Sequence, residues 1–311
     1  MIRTSAAKPD AKSSGRSARI KQSAGGKIFD AANAVFLGLC SIITIVPFLY
    51  VVSASFATER EIVERPLFII PRDVSIAAYR YIFSSSTLTK AFANSVFITV
   101  SGTAINMFFT VTMAYALSKR YLHGRNFLLN IVIFSMFFSG GMIPGYIIVR
   151  ALGMLDTYWS VLLPGAISAY NMMIIKNFFQ NLPDGLEESA RLDGCTDLGA
   201  LIRVVLPLSL PIVATFSLFY AVSHWNAYFA ATLYMSKSPN KWPLQVTLRN
   251  LILLSSAMAG DAGSYNLDYM KPPDQSTKMA VIVVSTVPIL CVYPFLQRHF
   301  AKGVMVGALK G

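Results

Sequence analysis

Apolar residues in this chain come in long unbroken runs, not in the alternating or heptad patterns of soluble proteins. Six windows contain no Asp, Glu, Lys or Arg: Ala31–Thr58, Ala91–Ser118, Asn126–Val149, Thr157–Ile175, Val204–Ser236 and Met279–Gln297. Crossing a hydrocarbon core of about 30 Å takes roughly 20 helical residues, which each window supplies or approaches. Helices are the form they predict, because lipid offers backbone amides and carbonyls no partner outside their own segment. A seventh apolar patch, Asn250–Gly260, is too short to span and predicts a re-entrant or interfacial helix in an outer loop. The expected fold class is all-α, a polytopic membrane protein with six transmembrane helices. No internal repeat is visible.

Charge in the connections sets the orientation. With the N-terminus inside, inner segments hold sixteen of the 27 Lys and Arg. The short loop "KRYLHGR" carries Lys119, Arg120 and Arg125 without an acid, an inside signal. Both termini are expected in the cytoplasm. The first window follows a basic stretch and precedes "VSA", yet its apolar length far exceeds the roughly 7–15 residues of a signal peptide, so an uncleaved first helix is expected. Residues 1–27, rich in Ser, Ala, Lys and Arg, predict a disordered cytoplasmic tail.

Composition agrees: the chain is 54% hydrophobic and only 14% charged, against about 25% charged in soluble domains. A net charge of +12 could indicate nucleic acid, but seven basic residues lie in the first 30 positions, where they orient a membrane protein. Cys40, Cys195 and Cys291 form no paired framework and no metal-binding spacing, so no metal site is expected.

Several chemistries are missing. His224 is the one residue in the six windows whose side chain titrates near neutrality, against the intramembrane charges that ion-coupled carriers use. "AGGKI" lacks the first glycine and the hydroxyl of a phosphate loop, and the Gly194–Gly199 pair lacks the lysine. No nucleophile–base set is credible among three histidines. The chain reads as no enzyme, so energy for uphill movement must come from a partner.

One polar segment stands out, "LPDGLEESARLDGCTDLGALIRVVLPL", residues 182–208. Asp184 is placed to cap a short helix, with Glu187 and Glu188 in its first turn, where negative charge suits the dipole. Asp193-Gly194 predicts its end, since glycine takes the left-handed conformation. Thr196 or Asp197 can cap a second helix running through Leu198, Ile202 and Val205 to Pro207. Such a hairpin, tethered to the fifth window, could carry a push into the membrane.

Its pattern is specific. Glu188-Ser189-Ala190, three residues, Gly194, nine residues, then Val204-Val205-Leu206-Pro207 resembles the EAA signature of ATP-binding-cassette (ABC) importer permeases. Ser189 stands for Ala and Val204 for Ile. "HWNAYF" and "RHFAKGVMVGALKG" are similar to the carbohydrate-uptake branch. "WPLQVTLRNLI" resembles its polysaccharide and aldouronate-type oligosaccharide permeases.

The resemblance implies a type I importer transmembrane domain over 28–311, with a family core of about 91–297 and a coupling hairpin at 183–207. It implies an oligosaccharide as cargo, and a bacterial inner-membrane location. The expected partners are a second homologous permease, two cytoplasmic ATPase subunits and an extracytoplasmic solute-binding protein. ATP and Mg would be bound by the ATPase, with no cofactor in this chain. Glu187, Glu188, Ser189, Ala190, Asp193, Gly194, Leu206 and Pro207 are the expected coupling residues. A permease for a non-sugar solute is the alternative, with an ATP-independent carrier behind it.

A sugar pathway needs aromatic faces and amides. Asn94, Asn106, Asn171, Tyr220, Trp225, Asn226 and Tyr228 are the candidates. Each Asn has interhelical hydrogen bonding as its competing role, and Trp225 and Tyr228 have an aromatic belt. Gly141-x-x-x-Gly145 with Pro144 predicts a kink or close packing point.

Overall fold

A computed structural model describes residues 24–257 and 275–308. The tail up to residue 23, positions 258–260 of the seventh patch and the proline tract before residue 275 lie outside the described residues. Helices account for the regular structure; the one strand-like pairing among the described residues is a bridge between Ala57 and Val74.

The chain divides into two compact units after Leu49. In its described part the first is the run from Ala24 within α1 (Ala24–Ser55). Its apolar side chains, such as Phe36, Ile43 and Phe48, are exposed, as suits a helix solvated by hydrocarbon.

The second unit begins at Tyr50, in the last turns of α1, and continues with two short helices, α2 (Glu59–Glu64) and α3 (Ala77–Ser84), and then α4 (Ser86–Ser118). Ser85 caps α4, its side chain accepting from the amide of Leu88. At 33 residues α4 is about 50 Å long, and within the second unit several of the helices that follow pack against it. Its C-terminal half supplies Val111, Ala114, Tyr115 and Leu117 to the larger core. Its N-terminal half supplies Leu88 and Ala91 to a second core with Ala78 and Ile82 of α3.

The third window is broken. Helix α5 (Arg125–Phe137) and helix α6 (Met142–Ala151) meet at 118°. Gly141 has φ +85°, a conformation that costs L-residues more than glycine, and Pro144 sits in the first turn of α6. The fourth window is divided into α7 (Trp159–Leu162) and α8 (Ala169–Gln180). Pro164 and Gly165, at φ +79°, separate them.

Next come α9 (Asp184–Leu192), α10 (Asp197–Ala200), a π-helical turn over Leu201–Val205 and α11 (Leu206–Leu208). Pro207 has no amide proton and its ring crowds the preceding turn, which the wider π turn relieves. The segment Asp197–Leu208 then bends 88° into α12 (Leu210–Asn226). The straight helix of the fifth window thus begins after Ser209 and not at Val204. It ends before Ala227, with α13 (Phe229–Tyr234) beyond the break.

The seventh patch belongs to a longer helix, α14 (Leu244–Ala257), whose Leu244 and Leu251 are buried in the second core. Helix α15 (Gln275–Ala308) closes the fold, adding Ala280 and Val281 to that core. Among the described residues three unbroken stretches are long and apolar enough to cross a membrane: Gly25–Ser55, Ser86–Ser118 and Gln275–Val292. Counting each of the two bent pairs as one span brings the number to five, and the divided fourth window is not a continuous helix. The all-α class stands. Several of the windows fold as broken helices, with Gly141 and Gly165 in the left-handed region at two of the breaks.

Candidate functional site

The polar hairpin is built from two helices joined by a tight turn. Pro183 occupies the cap position of α9 and makes no side-chain bond there; Asp184 is the first helical residue, so it is not the cap. The helix stops where Gly194 takes φ +82°. Thr196 caps α10, its hydroxyl accepting from the amide of Gly199 at 3.2 Å. A second turn of backbone bonds, Gly194 N–H to Arg191 and Cys195 N–H to Ala190, closes the end of α9.

The hairpin faces two ways. Ala190 is buried, Leu182 is partly buried, and Leu201 and Val205 enter the larger core beside Met172 and Ile175 of α8. Glu188, Ser189, Asp193 and Gly194 are exposed, and Leu192 is 89% exposed. Leu206 is half-buried and Pro207 exposed.

Glu187 behaves differently from its neighbour. It forms an ion pair with Lys119, just past the end of α4, and accepts a hydrogen bond from Tyr115 Oη at 3.4 Å. The Lys119 Nζ also lies 4.1 Å from the centre of the Tyr115 ring. A second tie uses Arg191, which donates to Tyr121 Oη and to Asp197 Oδ1, the latter at 2.8 Å. Gln180 Nε2 donates to the carbonyl of Ser118 at 3.2 Å, fastening the end of α8 to the same place. Sequence reasoning missed Tyr115, Lys119, Tyr121 and Arg191. "KRYLHGR" pointed only to orientation, because a loop's charge does not reveal its distant partner.

The pathway candidates separate into bonded and unbonded groups. Asn94 donates to the carbonyls of Asn240 and Trp242 and accepts from Tyr158 Oη. Tyr220 Oη pairs with Thr110 Oγ1 at 2.8 Å and accepts from the Ser168 amide at 3.1 Å. Trp225 Nε1 donates to the Ser285 carbonyl at 2.9 Å. These three side chains tie helices together.

Asn226 is exposed, and Asn171 is half-buried, its backbone amide engaged by the Ser168 cap. Tyr228 is exposed, with the Arg249 guanidinium 5.0 Å from its ring centre. Along α4, Thr99 Oγ1, Thr103 Oγ1 and Asn106 Oδ1 are out of contact with solvent and without hydrogen-bond partners. Among the described residues no group of three or more His, Cys, Asp or Glu could hold a metal ion.

Comparison with known proteins identifies the family. Residues 124–306 match the family model for the binding-protein-dependent transport system inner membrane component. The chain is 54% identical to Protein LplC of Bacillus subtilis (strain 168) over 286 residues, covering 92% of this chain and 96% of that protein. It is 52% identical to the polygalacturonan/rhamnogalacturonan transport system permease protein YtcP of the same organism, covering 92% and 99%. Among solved structures, a bacterial ABC transporter involved in the import of the acidic polysaccharide alginate contains a similar chain. The TM-score is 0.81 at 32% identity, over 90% of this chain and 99% of that one. This chain therefore belongs to the family of binding-protein-dependent transport system inner membrane components: it is a multi-pass permease subunit of an ABC transporter, and not an enzyme.

Proposed function

We propose that this permease forms part of the translocation pathway for an oligosaccharide, and that the 183–207 hairpin receives the push from a separate ATPase. The observation that carries this reading is the hairpin itself: a rigid polar element, bent 88° from α12, with Leu192 and two carboxylates facing away from the core. Glu188 and Asp193 are the charges that meet basic residues of the ATPase groove; each exposed pair contributes about 1 kcal/mol or less. Leu192 supplies the apolar contact, while Ser189, Ala190 and Gly194 set the hairpin's shape. Leu206 and Pro207 lead its second arm into α12.

In this arrangement the hairpin lies on the cytoplasmic side with both termini. A second permease of the same family completes the pathway, two ATPase subunits bind ATP and Mg, and an extracytoplasmic protein delivers the cargo. The names of YtcP and of the alginate importer support a polysaccharide-derived cargo, with acidic oligosaccharides first. The eleven Lys and Arg expected on the outer side would suit such a solute.

The test is uptake by proteoliposomes holding the assembled transporter and its binding protein, loaded with ATP and offered labelled oligogalacturonides or neutral oligosaccharides. ATP-dependent accumulation of the acidic set supports the reading. Accumulation of amino acids or peptides alone, or of any solute without ATP, overturns it.

A further inference from the structure

The carboxylate of Glu187 is engaged within the chain by Lys119 and Tyr115, whereas Glu188 is exposed, and this assigns the two different tasks. We propose that Lys119, Glu187 and Tyr115 form a clutch: positioning residues that make α4 move with the hairpin when the hairpin is displaced. The inference rests on the coupling reading above and names a second route for the push, besides the covalent route through α11 into α12.

Three observations converge. The ion pair is largely withdrawn from water, with side chains 13% and 15% exposed. Removing either member of a buried pair leaves an uncompensated charge and is strongly unfavourable, so the pair holds its registry. Tyr115 bonds the same carboxylate while its ring carries the ammonium, locking the last turn of α4 to α9 from two directions. Arg191, Tyr121 and Asp197 brace the other side.

The helix so gripped leads to the other elements. Tyr115 packs in the larger core with Phe179 of α8 and Phe216 of α12, and Thr110 bonds Tyr220 one turn further in. Movement of the hairpin without α4 would have to break the ion pair in a cleft lined by Ser118, Lys119, Phe179, Leu182 and Glu187. A lever held at two points turns as a body; one held only at α11 pivots on its proline.

The test uses the complete transporter in proteoliposomes, comparing ATP hydrolysed with oligogalacturonide taken up. Glu187→Gln and Lys119→Met should lower the melting midpoint of the subunit, and in the assemblies that form ATP hydrolysis should persist while uptake per ATP falls about ten-fold, within the usual range of coupling effects. The reversed pair, Lys119→Glu with Glu187→Lys, should recover most of that loss. Tyr115→Phe, which removes one hydroxyl and leaves the packing, should lower the ratio less. A wild-type ratio in the single variants overturns the clutch and leaves the permease reading intact. So does equal loss of hydrolysis and uptake, since that marks a purely structural staple. If wild-type transporter neither hydrolyses ATP nor retains an ATPase, the coupling reading falls and the clutch with it.

Discussion

The imidazole of His224 rests directly on the backbone of Gly102. A Cβ at position 102 would meet Nε2 at 2.5 Å and Cε1 at 2.6 Å, closer than real side chains approach. The glycine therefore sets how near α12 comes to α4, in the manner of small residues at membrane helix interfaces. Gly102→Ala should force the ring aside and destabilise the subunit by about 1–3 kcal/mol. Gly102→Ala combined with His224→Ala should recover part of the loss. Thermal unfolding in detergent checks both; an unaltered midpoint in Gly102→Ala would show that the seam yields freely.

The same seam predicts opposite outcomes for two polar residues. Asn106 is 4% exposed and its Oδ1 has no partner, so Asn106→Leu removes a desolvated acceptor and should be neutral or stabilising. Tyr220 serves both Thr110 and the Ser168 amide. Tyr220→Phe strands that amide and should cost about 1–3 kcal/mol. Side-by-side melting of the two variants decides the ordering, and a more stable Tyr220→Phe would refute the assignment.

Much of this was legible in the runs and breakers. Charge-free windows located the apolar helical segments, though not which of them run unbroken, and Gly141 with Pro144 marked the break between α5 and α6. The hairpin's turn and second cap were visible in Gly194 and Thr196. Residues whose partners lie far along the chain were not. Asn94 and Tyr220 have the chemistry of a sugar site, yet Trp242 and Thr110, which bind them, are 148 and 110 positions away. Nor could sequence separate Glu187 from Glu188. The helical turn points adjacent side chains in different directions, and only the position of Lys119 says which one is internal.

A buried carboxylate outside the hairpin gives a pH prediction. Glu61 is buried and accepts from the amides of Arg72 and Asp73 and from Arg65. The Arg72 amide foremost, with Asp73 and Arg65, outweighs burial and holds its carboxyl below the ordinary 4.5. A lowered folded value means the carboxylate stabilises the 61–73 loop fully above 4.5. That contribution is lost as pH falls through the lowered value. Hydrogen exchange at Arg72 and Asp73 should stay protected near neutrality and open in acid. Glu61→Gln should show the opened pattern at pH 7; protection unchanged in that variant contradicts the role.

The hairpin turn is equally exposed to test. Gly194→Pro cannot keep φ at +82° and removes the amide that bonds Arg191. A bulky residue at Ala190, which is buried, would lift α9 off the core. Both should abolish uptake while the subunit still inserts, as read by membrane fractionation beside transport. Gly194→Ala, strained by about 1–2 kcal/mol, should be intermediate.

The docking surface can be read most directly by placing a photoreactive residue at Leu192 and, as control, at Leu67, which is 73% exposed and lies outside the hairpin, in the segment after α2. Irradiated membranes of the host should yield an adduct between this chain and an ATP-binding subunit from position 192 alone. An ATPase adduct from position 67, or none from position 192 in a strain that still transports, would contradict the hairpin as the site of coupling.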